Sequence, residues 1–113
     1  MMASRNYGSP QVRPLFIDFD VYTDGDDEFK KELITLIIEN LFELQQTLQL
    51  VSKSNDLQLF HKVCHKIKAT LDMLEDQELL DTVAQLKVTI TDSSLIALLD
   101  RLCSDTIESL RRE

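Results

Sequence analysis

The segment ITLIIENLFELQQTLQLV, residues 34–51, decides the fold. Its apolar residues Ile34, Ile37, Leu41, Leu44, Leu48 and Val51 keep a 3-4-3-4-3 spacing. A strand would need every second residue on one face; this spacing instead lines six side chains along one stripe of a helix, the seam of a packed bundle. Upstream, the acids between Asp24 and Asp27 suit the positive end of a helix, so the first long helix is predicted to start there and run to about Lys53. Ser54-Asn55-Asp56 ends it and caps the next.

The same pattern repeats towards the C-terminus. A second helix is predicted from Leu57 to about Met73 or Leu74. A third runs from about Asp76 to Lys87, with Leu79, Leu80, Val83 and Leu86 inward. The β-branched stretch Val88 to Ile90 interrupts it, and Thr91-Asp92-Ser93 offers caps for a last helix through Leu95, Leu99, Leu102, Thr106 and Leu110. Four amphipathic helices with short turns predict an all-α chain folded as an antiparallel up-down four-helix bundle.

Two glycines and two prolines serve 113 residues, and Gly8, Pro10 and Pro14 lie in the first fourteen, so the rest lacks the punctuation that hairpins need. Residues 1–14 are polar and aperiodic and are read as a flexible tail; residues 15–113 form one domain with a single core. Leu15 to Tyr22 alternates apolar and polar residues but has no second strand to pair with. It is predicted to be a short N-terminal helix or extended cover whose Phe16, Phe19 and Tyr22 close one end of the bundle. Apolar positions left over on the first helix, Leu36, Ile38 and Phe42, would pack under that cover or against a second copy; a monomer is the expectation.

Twelve Lys and Arg against twenty Asp and Glu leave a formal charge of −8, which argues against nucleic acid, whose backbone is bound by clustered cations. No run approaches the roughly 20 apolar residues of a membrane span, and Met1 to Pro14 lacks the apolar core of a signal peptide. A cytoplasmic location is expected, where Cys64 and Cys103 would stay thiols. Cys64 falls toward the apolar side of its helix and reads as a small buried hydrophobe.

Within the second helix, HKIKAT (residues 65–70) carries the chemistry. With Ile67 as the centre of the apolar face and about 100° per residue, Phe60, Cys64, Leu71 and Leu74 fall within about 60° of it, whereas His65 falls about 160° away. His61, Lys68, Ala69 and Asp72 share the polar half with His65. From His61 to Leu71 the chain holds Lys62, Lys66 and Lys68 and no acid, a locally basic face suited to an anionic surface or a phosphoryl group.

This string resembles the signature of the histidine phosphotransfer (HPt) domains, intermediates of two-component phosphorelays in bacteria and fungi. Gly25-Asp26-Asp27-Glu28-Phe29 looks like the opening of that family's first long helix, and the later Leu-rich segments match its remaining helices in order. The likeness spans roughly Phe16 to Glu113. It implies His65 as the residue that accepts a phosphoryl group from a receiver domain's phosphoaspartate and passes it to another receiver, and Lys68 as the residue that pairs with the phosphate. It further implies His61, Lys62, Lys66, Ala69, Asp72 and Lys87 as the docking surface. The partners implied are response-regulator receivers and a hybrid sensor kinase. Magnesium would sit on the receiver, and this chain needs no cofactor.

The chain departs from the family pattern at three places. Ala69 stands where the family usually has glycine, a small residue that lets the receiver approach. Asp72 stands where a small residue is more frequent; its carboxylate would either pair with Lys68 across one turn or oppose the incoming phosphate. Lys87 falls where many members have a glutamine that steadies the imidazole.

Histidine suits the role because its ordinary pKa, about 6.5, leaves a neutral nucleophilic nitrogen at cellular pH. Once the ring carries a phosphoryl group, nearby ammonium groups pair with its oxygens. Phosphoryl transfer needs positioning and charge stabilisation more than covalent machinery, so the chain would be a carrier without turnover of its own. The i, i+4 spacing of His61 and His65 also matches a metal pair, but no further ligand completes a shell, and no metal site is expected. No Gly-rich phosphate loop or nucleophilic serine elbow is present. The competing reading is a degenerate HPt module that binds a receiver or another partner without carrying phosphate.

Overall fold

A computed structural model describes residues 13–113. The described residues form six helices and no strand: α1 (Phe19–Thr23), α2 (Asp27–Ser54), α3 (Leu57–Lys66), α4 (Lys68–Leu74), α5 (Gln77–Val88) and α6 (Ser93–Arg111). The predicted helix starts coincide with side-chain caps. Asp26, Asp56, Asp76 and Asp92 each accept a backbone N–H from the first turn of the helix that follows, at 3.0 to 3.2 Å. Asn55 ends α2 in the left-handed region at φ 57°, a conformation that asparagine tolerates better than most residues.

Around one core, α2 packs against α3 and α6, and α5 packs against α6, α3 and α4. Ile37, Leu41, Leu44, Leu48 and Val51 of α2 are fully buried there with Phe60, Leu79, Leu86 and Leu99. Each contributes about 1.5 to 3 kcal/mol by leaving water. At the start of α2 the inward position is Leu33, and Ile34 is only half-buried. A straight helix drifts about 20° per heptad against a strict seven-residue repeat, so the stripe has rotated by its first turn. Leu80 and Leu95, also read as inward, are likewise half-buried.

The cover segment carries the short helix α1, capped by Asp18, and packs on α2. Phe19 is buried as expected, but its companions are Ile17 and Thr23; Phe16 and Tyr22 stay exposed at 54% and 40%. Alternation across Phe16 and Ile17 fixes this, since only one of two neighbours in an extended stretch can face α2. Lys30 of α2 lies over the Phe19 ring at 4.9 Å. Leu36 and Phe42 are not covered by α1 and remain about half exposed, with Arg111 over the Phe42 ring.

Of the segment read as a tail, residues 1–12 lie outside the described residues. Arg13 is held in place: its guanidinium grips Asp76 with two hydrogen bonds, of 2.8 and 2.7 Å, and reaches Glu78 at 3.2 Å. Its carbonyl accepts the Ser109 hydroxyl at 2.6 Å. Arg13, which falls in the segment predicted to be a flexible tail, is therefore fastened to the domain.

Candidate functional site

Phe60, Val63 and Cys64 of α3 turn into the core, which leaves His61, Lys62, His65 and Lys66 on the outer face. The single helix expected from Leu57 to Leu74 is divided at Ile67, where φ is −100° and ψ is 15°. Hydrogen bonding nevertheless runs through the break: Ile67 donates to the Val63 carbonyl at 3.0 Å, and its own carbonyl accepts from Leu71 at 3.1 Å. Ile67 is buried at 1% exposure, so it anchors the irregular residue in the core. Beyond it, Thr70, Leu71 and Leu74 face inward, and Lys68, Ala69 and Asp72 face out.

His65 is exposed, and among the described residues no hydrogen bond holds its ring. His61 differs. Its Nε2 lies 2.8 Å from the Lys87 carbonyl oxygen. A carbonyl can only accept, so this nitrogen carries the proton and donates. The bond satisfies one of the carbonyls left without a partner in the last turn of α5 and ties α3 to α5. His61 is exposed, as its place on the polar half predicts, but one of its nitrogens is committed and unavailable to a metal or a phosphoryl group.

The lysines are also partnered. Lys68 Nζ meets Asp72 Oδ2 at 2.7 Å, one helical turn on, and Lys66 Nζ meets Glu43 Oε2 of α2 at 2.9 Å. Of the two readings open for Asp72, the pairing with Lys68 is the one observed. Among the described residues, Lys62 and Lys87 have no carboxylate within ion-pair distance. Glu43 neutralises part of the basic face, a role the sequence does not reveal because it lies 23 residues from Lys66. A second tie from α2 adjoins the site: Asn40 Nδ2 donates to the buried Thr70 hydroxyl at 2.6 Å. Ala69 is exposed between these contacts. Beside the face, Leu57, Gln58, His61, Lys62 and His65 line a shallow recess of about 400 Å³.

Behind the face, burial pushes the Cys64 thiol up to about 11, with Lys87 pulling the other way. Burial, helped by Asp100, pushes Cys103 up to about 12. Unfolded thiols ionise near 9, so the native state is favoured in full below that pH, and the advantage is lost as the pH rises through 11 to 12. Stability measured by denaturant titration is expected to fall from pH 8 to pH 11, and a thiolate-directed reagent is expected to modify both cysteines only after unfolding.

Among the described residues, no three His, Cys, Asp or Glu side chains gather to hold a metal ion. None of the described helices is long and apolar enough to cross a membrane. Compared with family models, with curated proteins and with solved structures, the chain matches none.

Proposed function

We propose that the chain is a histidine phosphocarrier of the HPt type, in which His65 takes a phosphoryl group from a receiver's phosphoaspartate and returns it to a second receiver. The observation that carries this reading is the exposed His65 ring, without a hydrogen bond among the described residues, on the outer face of a helix whose opposite side is core, with two ammonium groups and a small residue within the next turn. In this reading α2, α3 with α4, α5 and α6 form an antiparallel four-helix bundle, with α1 as its cover. The chain works as a cytoplasmic monomer.

In the transfer, a ring nitrogen of His65 attacks phosphorus, the P–O bond to the receiver's carboxylate breaks, and an N–P bond forms. The receiver's acidic pocket and its magnesium stabilise the transferring group; this chain presents the nucleophile, and Lys68 and Lys66 meet the charge that arrives. Ala69 keeps the approach open, while Lys62, Lys87, His61 and Asp72 frame the contact. The test is transfer from a panel of phosphorylated receiver domains to the full chain. An acid-labile, alkali-stable label on the chain is expected from at least one receiver, and no transfer from any would overturn the reading.

A second reading has one observation in its favour. Both lysines next to His65 already hold carboxylates, as they would in a module that docks a receiver without taking phosphate. Such a module binds receivers but never acquires the label.

A further inference from the structure

The sequence places a carboxylate, Asp72, one turn beyond Lys68, which itself follows His65 by three residues. We propose that the Lys68–Asp72 ion pair is a counter-ion latch that shortens the life of the phosphoryl group on His65, an inference that rests on the phosphocarrier reading.

The contact is short, 2.7 Å between Nζ and Oδ2, and it is the one ion pair of Lys68 among the described residues. Both side chains are more than half exposed, at 67% and 56%. The pair is therefore weak enough to be broken in competition, and it is the contact Lys68 makes in the unphosphorylated chain. A phosphoryl group on His65 draws Lys68 towards its oxygens. Asp72 then loses its partner and stands as an uncompensated negative charge on the face that has just gained more negative charge. The cost falls only on the phosphorylated state. Lys66 faces the same competition from Glu43 of α2 at 2.9 Å, so both cations at the site have a resting partner to give up. A carrier built this way holds its phosphoryl group loosely and yields it readily.

The latch is tested without any receiver. The full chain is phosphorylated with phosphoramidate, in which the donor P–N bond breaks, ammonia leaves and an N–P bond forms at the ring. Loss of the group is then followed by phosphorus NMR; water attacks phosphorus, inorganic phosphate leaves and a proton returns to the ring nitrogen. Asp72→Asn is expected to lengthen the half-life about two- to five-fold, the range an exposed ion pair supports. In a Lys68→Gln background the same substitution is expected to change little, because the latch acts through Lys68. An unchanged half-life in Asp72→Asn would overturn the latch, as would an equal lengthening with and without Lys68, which marks direct repulsion instead. Failure of His65 to take up phosphate in every protein would overturn the phosphocarrier reading and the latch together.

Discussion

His65→Gln is expected to acquire no label from a phosphorylated receiver that labels the parent, while His61→Gln is labelled. The two histidines lie one turn apart on the same outer face, so a docking partner meets both. They differ in what their rings are doing. His61 spends Nε2 on the Lys87 carbonyl, whereas no hydrogen bond among the described residues occupies His65. Glutamine keeps a polar side chain of similar reach at residue 65 but lacks a nitrogen that can form the N–P bond. Loss of label in His65→Gln with its helix content intact therefore isolates the chemistry from the fold. At residue 61, Gln can still donate an N–H to Lys87, which makes it the matched control. Equal labelling of His65→Gln would remove the phosphoacceptor assignment.

The largest effect on stability is expected at Asp76. Its carboxylate is buried at 4% exposure, receives both arms of the Arg13 guanidinium, and caps α5 by accepting the Leu79 N–H at 3.2 Å. The hydrogen bonds and charge of Asp76 hold Arg13 above its already high range. Asp76→Ala removes the cap, worth about 1 kcal/mol, and leaves a mostly buried guanidinium short of its main partner. Breaking a buried pair from one side costs about 3 to 5 kcal/mol. Glu78 remains within 3.2 Å of Arg13 and moderates the loss, so a total of about 3 kcal/mol is expected, read as a lower denaturation midpoint in urea. A change below about 0.5 kcal/mol, the level of an ordinary surface substitution, would show that the clasp does not hold the N-terminal segment.

Local features of the chain were legible in its residues. Periodicity located the long helices because burial on one face imposes it, and acidic or capping residues stood at their starts, where Asp26, Asp56, Asp76 and Asp92 accept orphaned N–H groups. The exposure of His65 followed from the position of Ile67 on the wheel, and the Lys68–Asp72 pair was one of two outcomes its i, i+4 spacing left open. Contacts between distant segments were not legible. Arg13 and Asp76 are 63 residues apart, Lys66 and Glu43 are 23, and His61 meets a backbone carbonyl that carries no residue-type signal. The break at Ile67 was hidden for another reason. Isoleucine at the centre of an apolar stripe reads as helix, and burial in the core holds it at ψ 15° without a proline or glycine to announce it.

These contacts change how the site is understood. Residues 61–71 look uniformly basic along the chain, but folding brings Glu43 and Asp72 to two of the three lysines. On the proposed reading, phosphorylation would exchange ion pairs rather than fill an empty cationic pocket, and Lys62 and Lys87 would be left to meet an acidic receiver surface.

The most direct measurement is nitrogen-15 NMR of the two histidine rings in the full chain, before and after incubation with a phosphorylated receiver. A ring nitrogen of His65 is expected to acquire coupling to phosphorus while the His61 ring keeps its Nε2–H tautomer. Phosphorus coupling at His61, or a His65 ring that stays unmodified while the receiver passes its phosphoryl group elsewhere on the chain, would contradict it.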